Sequence, residues 1–428
     1  MADNERRSSP VPEREGLDVS SGVEKTGISR RVQAGVYGAA LFSNTTPNMA
    51  WMAVPLFVAS LDVSPLMIGV ALGCRHIGPV FLAIHGGALM DRLGTRRIMI
   101  VFAVMGAVVP LLYPAFPLLW ALILFQLMSG LADSLGWVGA QTLVGQVMRG
   151  EARYAGRMSF WTRVGLFAGP PLGGMAWDIF GPWGAFSMMS VWSIGILASV
   201  LSIPEAALRT ADGPDNRTEP LSWRALLPRP AEYVEAFRLL LIPAIAFAMA
   251  MTMLRHVGGG IQGSFYIVYL EGIGISGTMI GLLLTVNGIF GLGGSLTVAP
   301  LQKYLKAHWF LMWSVALTVF AVAITPALDG MMSLTVASAL RGWALAASLV
   351  LLISLIASAA GPGEQGKAMG LRVTLNQIVW FIVPILLGAI IEIAGLAAGF
   401  YVAGALTLAL IAVCAVFARR RGAVSAGR

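Results

Sequence analysis

Long apolar stretches alternate with short polar turns along the whole chain. Twelve windows stand out: 33–60, 64–86, 98–115, 117–146, 161–180, 184–203, 239–269, 276–299, 309–327, 331–359, 374–394 and 397–418. Each is close to or beyond the ~20 residues that carry a helix across a hydrocarbon core. The ten-residue alternation of barrel strands is missing. The pattern therefore predicts an all-α membrane protein. Three longer polar segments interrupt it: an N-terminal tail (1–32), a linker with five prolines (204–238) and a basic tail (419–428). The N-terminal tail has no apolar centre, so it reads as a tail and not as a signal peptide.

Charge falls on alternate loops. One set carries Arg92, Arg96 and Arg97, then Arg149, Arg153 and Arg157, then Lys303 and Lys306, then Lys367 and Arg372, and both tails join it. The other set carries Asp62, Asp178, Glu271, Asp329 and Glu392, with no Lys or Arg. Basic residues stay on the cytoplasmic side during insertion. The expected topology is thus an even number of spans with both termini and the linker cytoplasmic. The net charge of +8 is then a topology signal, and a nucleic-acid partner is not expected. Composition agrees: 12% of residues are charged, about half the ~25% of a soluble domain, and mean hydropathy is +0.78. Two cysteines, Cys74 and Cys414, exclude a disulfide scaffold or a Cys-built metal cluster.

The chain repeats itself at an offset of 212–214 residues. Ser64-Pro65-Leu66-Met67-Ile68-Gly69-Val70 aligns with Ser276-Gly277-Thr278-Met279-Ile280-Gly281-Leu282. Pro170, Gly174, Asp178, Gly181 and Phe186 align with Pro384, Gly388, Glu392, Gly395 and Phe400. Six spans per half (33–203 and 239–418) make the two repeats parallel, related by a two-fold axis along the membrane normal. Transporters use such halves to rock around a midplane site.

Between spans 2 and 3 lies Gly87-Ala88-Leu89-Met90-Asp91-Arg92-Leu93-Gly94-Thr95-Arg96-Arg97. It resembles the G-x-L-a-D-R-x-G-r-K/R loop of the major facilitator superfamily, departing at Met90 and Thr95. In span 5, Gly165, Gly169, Pro170, Gly173 and Gly174 resemble that superfamily's antiporter motif. The resemblance covers essentially the whole chain and implies an alternating-access transporter whose spans 1, 4, 7 and 10 line a central cavity. It implies a gating loop at Gly87, Asp91, Arg92, Gly94 and Arg96, whose ion pairs exist in one conformation and bias the equilibrium. The second-half counterpart, Ala299-Pro300-Leu301-Gln302-Lys303, lacks the acid. The span-5 glycines let helix backbones approach closely in lipid, and span 8 offers Gly281, Gly288 and Gly291 as partners. In span 4 the superfamily usually has an Arg, where Gln126 stands four residues before Gly130.

Four charges lie deep within the windows: Arg75, Asp133, Arg255 and Arg341. Each costs about 2.5–3.5 kcal/mol at bilayer depth even on an insertion scale, and so calls for a cavity or a partner. Arg163 lies near a span mouth, and Asp178 and Glu392 lie at outer ends, where they read as interfacial. Ser43-Asn44-Thr45-Thr46-Pro47-Asn48 in span 1 aligns with Arg255-His256-Val257-Gly258-Gly259-Gly260 in span 7. Helices interrupted at matching positions are a pointer to a transport site, so breaks are expected there. The candidate substrate cavity is Arg75, Arg255, Arg341, His256, Asn44 and Asn48. Arginines outnumber acids three to one, which favours an anionic solute bound by guanidinium forks. In the alternative, each Arg caps carbonyls of a broken helix. Asp133 and His76 are the candidates for proton coupling, His256 being a further proton carrier; Asp133 equally suits a structural pair with Arg75, and each His a packing role. No metal-ligand set and no cofactor motif are present.

Overall length and the Arg75-His76 and Arg255-His256 spans also resemble the MamH-type permeases of magnetosome membranes. That likeness implies iron carried as a net-negative complex. The expected function is secondary active transport of a small anionic solute or anionic iron chelate, proton-coupled. The expected location is the bacterial inner membrane, or alternatively the magnetosome membrane. Two alternatives stand beside it. A drug-type efflux antiporter for lipophilic cations predicts an acidic cavity. A non-transporting scaffold or receptor predicts no flux. No nucleophile–base pair or phosphate loop suggests an enzyme. The expected partners are a small solute, the bilayer and other membrane proteins, with a monomer as the working unit.

Overall fold

The computed structural model describes residues 28–82, 90, 93–148, 151–204, 237–361 and 364–421. Among them all regular structure is helical. The first half holds α1 (Arg30–Ala59), α2 (Pro65–Cys74), α3 (Ile77–Leu82), α4 (Thr95–Ala115), α5 (Leu119–Val147) and α6 (Ala152–Ser202). The second holds α7 (Pro243–Gln262), α8 (Phe265–Gly272), α9 (Gly277–Leu301), α10 (Ala307–Ala323), α11 (Met331–Ala359), α12 (Gln365–Ala394) and α13 (Leu396–Arg421). Helix α6 is two spans: Gly181, at φ 64 and ψ −155, turns the chain so that Gly184 comes back against the Ala176 carbonyl. The pairs α2/α3 and α7/α8 each make one broken span. Counted this way, the described residues hold the twelve expected crossings in a 6+6 arrangement.

The repeat is visible in the backbone. Asp62 (φ 51) and Gly274 (φ 85) both take left-handed turns ahead of Ser64 and Ser276, and Gly181 pairs with Gly395 (φ 88). Ser64 and Ser276 each cap their own helix, accepting from Met67 N at 3.5 Å and Met279 N at 3.4 Å.

The expected helix breaks fall elsewhere. Helix α1 runs unbroken through Pro47. Its polar side chains bond to carbonyls one turn back: Thr45 Oγ1 to Leu41 O at 2.6 Å, Thr46 Oγ1 to Phe42 O at 3.1 Å, and Asn48 Nδ2 to Asn44 O at 2.6 Å. Such back-bonding satisfies them without unwinding the helix. Helix α7 also runs unbroken through Gly258–Gly260, and the span breaks after it, at Gly263–Ser264. A break that the pattern does not announce falls at Arg75–His76, between α2 and α3.

The cores show how the halves sit. One large apolar core draws on both halves: Met49 to Val58, Tyr113 and Phe186 from the first, Phe265 to Ile267, Ile280, Leu387 and Phe400 from the second. These residues lie toward the face opposite the termini, called here the far side. Toward the termini the core divides. Val32, Ala140 and Val200 pack within the first half, and Met251, Leu311 and Leu352 within the second. Among the described residues, then, the apolar core is shared by the two lobes at the far side and divided between them toward the termini.

Candidate functional site

A narrow pocket lies between the halves. Its polar and aromatic wall is Trp51 from α1, Arg75 and His76 from the α2/α3 break, Gln126 from α5 and Trp380 from α12. Gly130 permits the Arg75 break to sit against α5, since a Cβ there would lie 1.8 Å from the Arg75 carbonyl oxygen.

Arg75 Nη2 pairs with Asp133 Oδ2, and Nη1 donates to Gln126 Oε1 at 3.2 Å. Gln126 Oε1 also accepts from the Tyr113 hydroxyl at 3.0 Å, which lies 3.3 Å from Ser129 Oγ. The residue that departs from the family motif is thus the guanidinium's second partner. Asp133 itself lines a different, water-sized pocket inside the first half, together with Ser43, Gly106, Gly136 and Ser193. The ion pair stands between two chambers, Arg75 facing one and Asp133 the other.

Trp380 reaches across from the second half. Its ring stacks on Trp51 (centroids 5.1 Å apart) and on His76 (5.4 Å). Its Nε1 donates to His256 Nδ1 at 3.0 Å. The glycine run of α7 has its use here: a Cβ on Gly259 would sit 3.0 Å from the indole, and one on Gly260 2.6 Å from Val383. His76 Nδ1 lies 2.9 Å from Gln377 Oε1, a hydrogen bond between the halves. His256 Nε2 lies 3.1 Å from Arg255 Nη1. Both nitrogens of His256 therefore face donors, whereas a neutral imidazole has a single acceptor nitrogen. Trp380 and Arg255 compete for it.

The three deep arginines do not share one hollow, which corrects the expectation of a common cluster. Of the three, Arg75 lines the pocket. Arg255 does not line it: Nε and Nη2 donate to Leu345 O, midway along the unbroken α11, at 3.2 and 3.0 Å, and Nε donates to Ser348 Oγ at 3.0 Å. Arg341 is 2% exposed and lies over the Tyr266 ring, 4.7 Å from its centroid, a cation–π contact. Asn44 donates to Thr162 O at 3.0 Å, and Asn48 is engaged within α1. Depth along a span can be read from sequence, but the rotation that aims each side chain comes from helix packing.

The span-5 motif also divides. Cβ atoms on Gly165 and Gly169 would strike Thr45 of α1, and Gly173 faces Met49 of the same helix. Gly174 and Pro170 face α9 instead, through Gly277 and Gly281, while Gly288 meets the Phe167 ring and Gly291 turns to Gly342. So most of this glycine face seats span 1, and span 8 takes the rest. In the gating loop, Gly87, Asp91 and Arg92 lie outside the described residues. Gly94 (φ 85) starts α4, and Arg96 Nη2 donates to Leu201 O at 3.4 Å. Trp51, Trp380, Gln377 and Tyr113 escaped the sequence reading. The available signal was two tryptophans at mid-window, away from the interfacial belts where Trp collects.

A two-lobed bundle of parallel six-helix repeats, with a pocket between the lobes, defines a membrane transporter. The sequence matches the Major Facilitator Superfamily over residues 36–259 and again over 248–427. The chain belongs to that superfamily. It is 26% identical over 320 residues to the class C tetracycline resistance protein of Escherichia coli, covering 71% of this chain and 74% of that one. It is 21% identical over 372 residues to the quinolone resistance protein NorA of Staphylococcus aureus, covering 86% and 92%. Among solved structures, the nucleoside transporter NupG superposes with a TM-score of 0.72 at 13% identity, over 90% of this chain and 98% of that one. The inward-open xylose transporter XylE of E. coli gives 0.64 at 14% identity, over 90% and 94%. These likenesses establish the fold and a multi-pass membrane transporter that takes small solutes within the bilayer.

Proposed function

We propose that the chain is a secondary active transporter that moves a small anionic solute by alternating access, with the proton as coupling ion. The Arg75–Asp133 pair between two chambers carries this reading. While Asp133 is ionised it neutralises Arg75. A proton arriving on the Ser43–Ser193 side removes that counter-charge and leaves a guanidinium facing the solute pocket, suited to a forked carboxylate or phosphate. Binding is reciprocal: an anion on Arg75 draws the proton onto Asp133 by the same factor. Proton and anion then move together. The core shared at the far side supports reading this conformation as open toward the termini, the side the charge pattern assigns to the cytoplasm.

The test is uptake into proteoliposomes under an imposed pH gradient, with benzoate, lactate, phosphate and ferric citrate as probes. Asp133→Asn is expected to abolish gradient-driven accumulation and to leave solute exchange intact; Arg75→Gln is expected to abolish both. Undiminished accumulation by Asp133→Asn would refute the coupling. Absence of flux for every probe would favour the scaffold. Ferric citrate stands for the iron chelate, which rests on the magnetosome-permease resemblance alone.

A second reading is export of flat aromatic compounds. The Trp51, Trp380 and His76 rings on the pocket wall favour it, as do relatives named for tetracycline and quinolone resistance. Norfloxacin added to the probe panel separates the two.

A further inference from the structure

We propose that Asp178 and Glu392 are gate residues of the transport cycle, the two hooks of a symmetric clasp that holds the far side shut. The inference rests on the alternating-access reading. Asp178 lies three residues before the Gly181 turn, at the end of the first leg of α6. It reaches the opposite half, where Oδ1 accepts from Gly277 N at 2.8 Å and Oδ2 from Thr278 N at 2.8 Å and Thr278 Oγ1 at 2.6 Å, at the start of α9. Its repeat mate Glu392 lies three residues before Gly395, at the end of α12. It reaches the first half, where Oε2 accepts from Ser64 Oγ and Leu66 N, both at 3.1 Å, at the start of α2.

Each acid belongs to one half and each helix start to the other, so every one of these bonds crosses the line on which the halves part. The helices they bind do not need them to be capped, because Ser64 and Ser276 already supply the caps within their own helices. The carboxylates add charge at the positive ends of α2 and α9, where anions are favoured, and do so in the closed state. The surrounding glycines bring the backbones to that distance. A Cβ on Gly174 would lie 2.1 Å from Gly277 O, and one on Gly388 2.4 Å from Pro65 O. A bond present in one state and absent in the other shifts the equilibrium by its own free energy.

The two hooks differ in a way that makes the assignment discriminating. Asp178 uses both oxygens, so Asp178→Asn loses one acceptor as well as the charge. Glu392 uses one oxygen, so Glu392→Gln keeps its acceptor and loses charge alone. Removing either acid to Ala is expected to raise the ratio of far-side-open to far-side-closed molecules about fivefold, and removing both about 25-fold, since the sites are separate. Asp178→Asn should fall near the Ala value and Glu392→Gln between wild type and the Ala value, since it keeps the acceptor and loses the charge at the helix end.

The measurement is a pulsed spin–spin distance across the far side in lipid nanodiscs. Labels at Phe116→Cys and Met332→Cys, 53% and 79% exposed on opposite halves, are placed in a Cys74→Ala, Cys414→Ala background. The clasp predicts two distances in the parent protein and a growing long component through the series. Two distances whose ratio ignores the Ala variants overturn the clasp while leaving alternating access standing. A single distance in every variant, with and without benzoate, overturns alternating access and the clasp together.

Discussion

Replacing the Arg75–Asp133 pair one partner at a time, and then both together, tests the physics of the site most directly. The two side chains are 8% and 19% exposed. Breaking a buried pair leaves an uncompensated charge and typically costs 3–5 kcal/mol. In Asp133→Leu, Arg75 keeps the Gln126 bond at 3.2 Å, and the partial exposure of the site softens the loss, so about 3 kcal/mol is expected. Arg75→Met leaves the carboxylate facing the Ser43–Ser193 pocket, which can admit water, and about 2 kcal/mol is expected. The double variant Arg75→Met/Asp133→Leu removes both charges and fills the space with apolar atoms, so it is expected within ~1 kcal/mol of wild type. The cycle therefore predicts a coupling of about 4 kcal/mol, or at least ~2 kcal/mol after relaxation. The assay is reversible unfolding in mixed micelles by a denaturing detergent, followed by tryptophan fluorescence. If the two single losses add in the double variant to within ~0.5 kcal/mol, the groups are independent and the two-chamber mechanism fails. The double variant should also be stable yet unable to accumulate benzoate against a pH gradient, because stability and coupling draw on different properties of the pair.

Gly130→Ala should destabilise by about 1–3 kcal/mol through the clash with the Arg75 carbonyl, whereas Gly156→Ala, with open space around it, should be silent in the same unfolding assay. Gly181→Ala should cost about 1–3 kcal/mol, because φ 64 with ψ −155 belongs to a region that a Cβ disfavours; an unchanged unfolding midpoint would contradict the turn. Trp380→Leu removes the stack on Trp51 and the donor to His256. It should weaken competition by benzoate about tenfold, from a lost aromatic pair and hydrogen bond, and spare lactate; equal effects on both would deny the ring wall a part in selection.

Much of the architecture could be read before any coordinates. The twelve windows, the alternating charges and the 212–214-residue offset led to a 6+6 bundle of parallel repeats. The left-handed residues Asp62, Gly274, Gly181 and Gly395 confirm the repeat at the level of the backbone. The errors have specific causes. The polar run 43–48 suggested a broken helix, but its hydroxyls and amides turn back onto their own helix. The Gly258–Gly260 run suggested another break, but it makes room for Trp380 and Val383. Asp178 and Glu392 do lie exposed at outer helix ends, as expected of interfacial acids, but their bonding to partners 99 and 326 residues away was not foreseen. The repeat nonetheless matched acid with acid and Ser64 with Ser276, and that pairing was the readable trace of the far-side contacts.

By itself the sequence determined the number of crossings, their alternation and their grouping into two equivalent sets of six. These are local properties, because a helix in lipid must satisfy its own backbone bonds and about 20 apolar residues are enough to place it. The tertiary structure alone decided that Arg75 meets Asp133, that Arg255 bonds to the middle of α11, that Trp380 crosses between the halves and that Asp178 and Glu392 each bond to the opposite half. Those meetings depend on how each helix is rotated about its axis. In lipid that rotation comes from close packing at small residues and from hydrogen bonds between helices, which belong to pairs of segments and to no single stretch of chain.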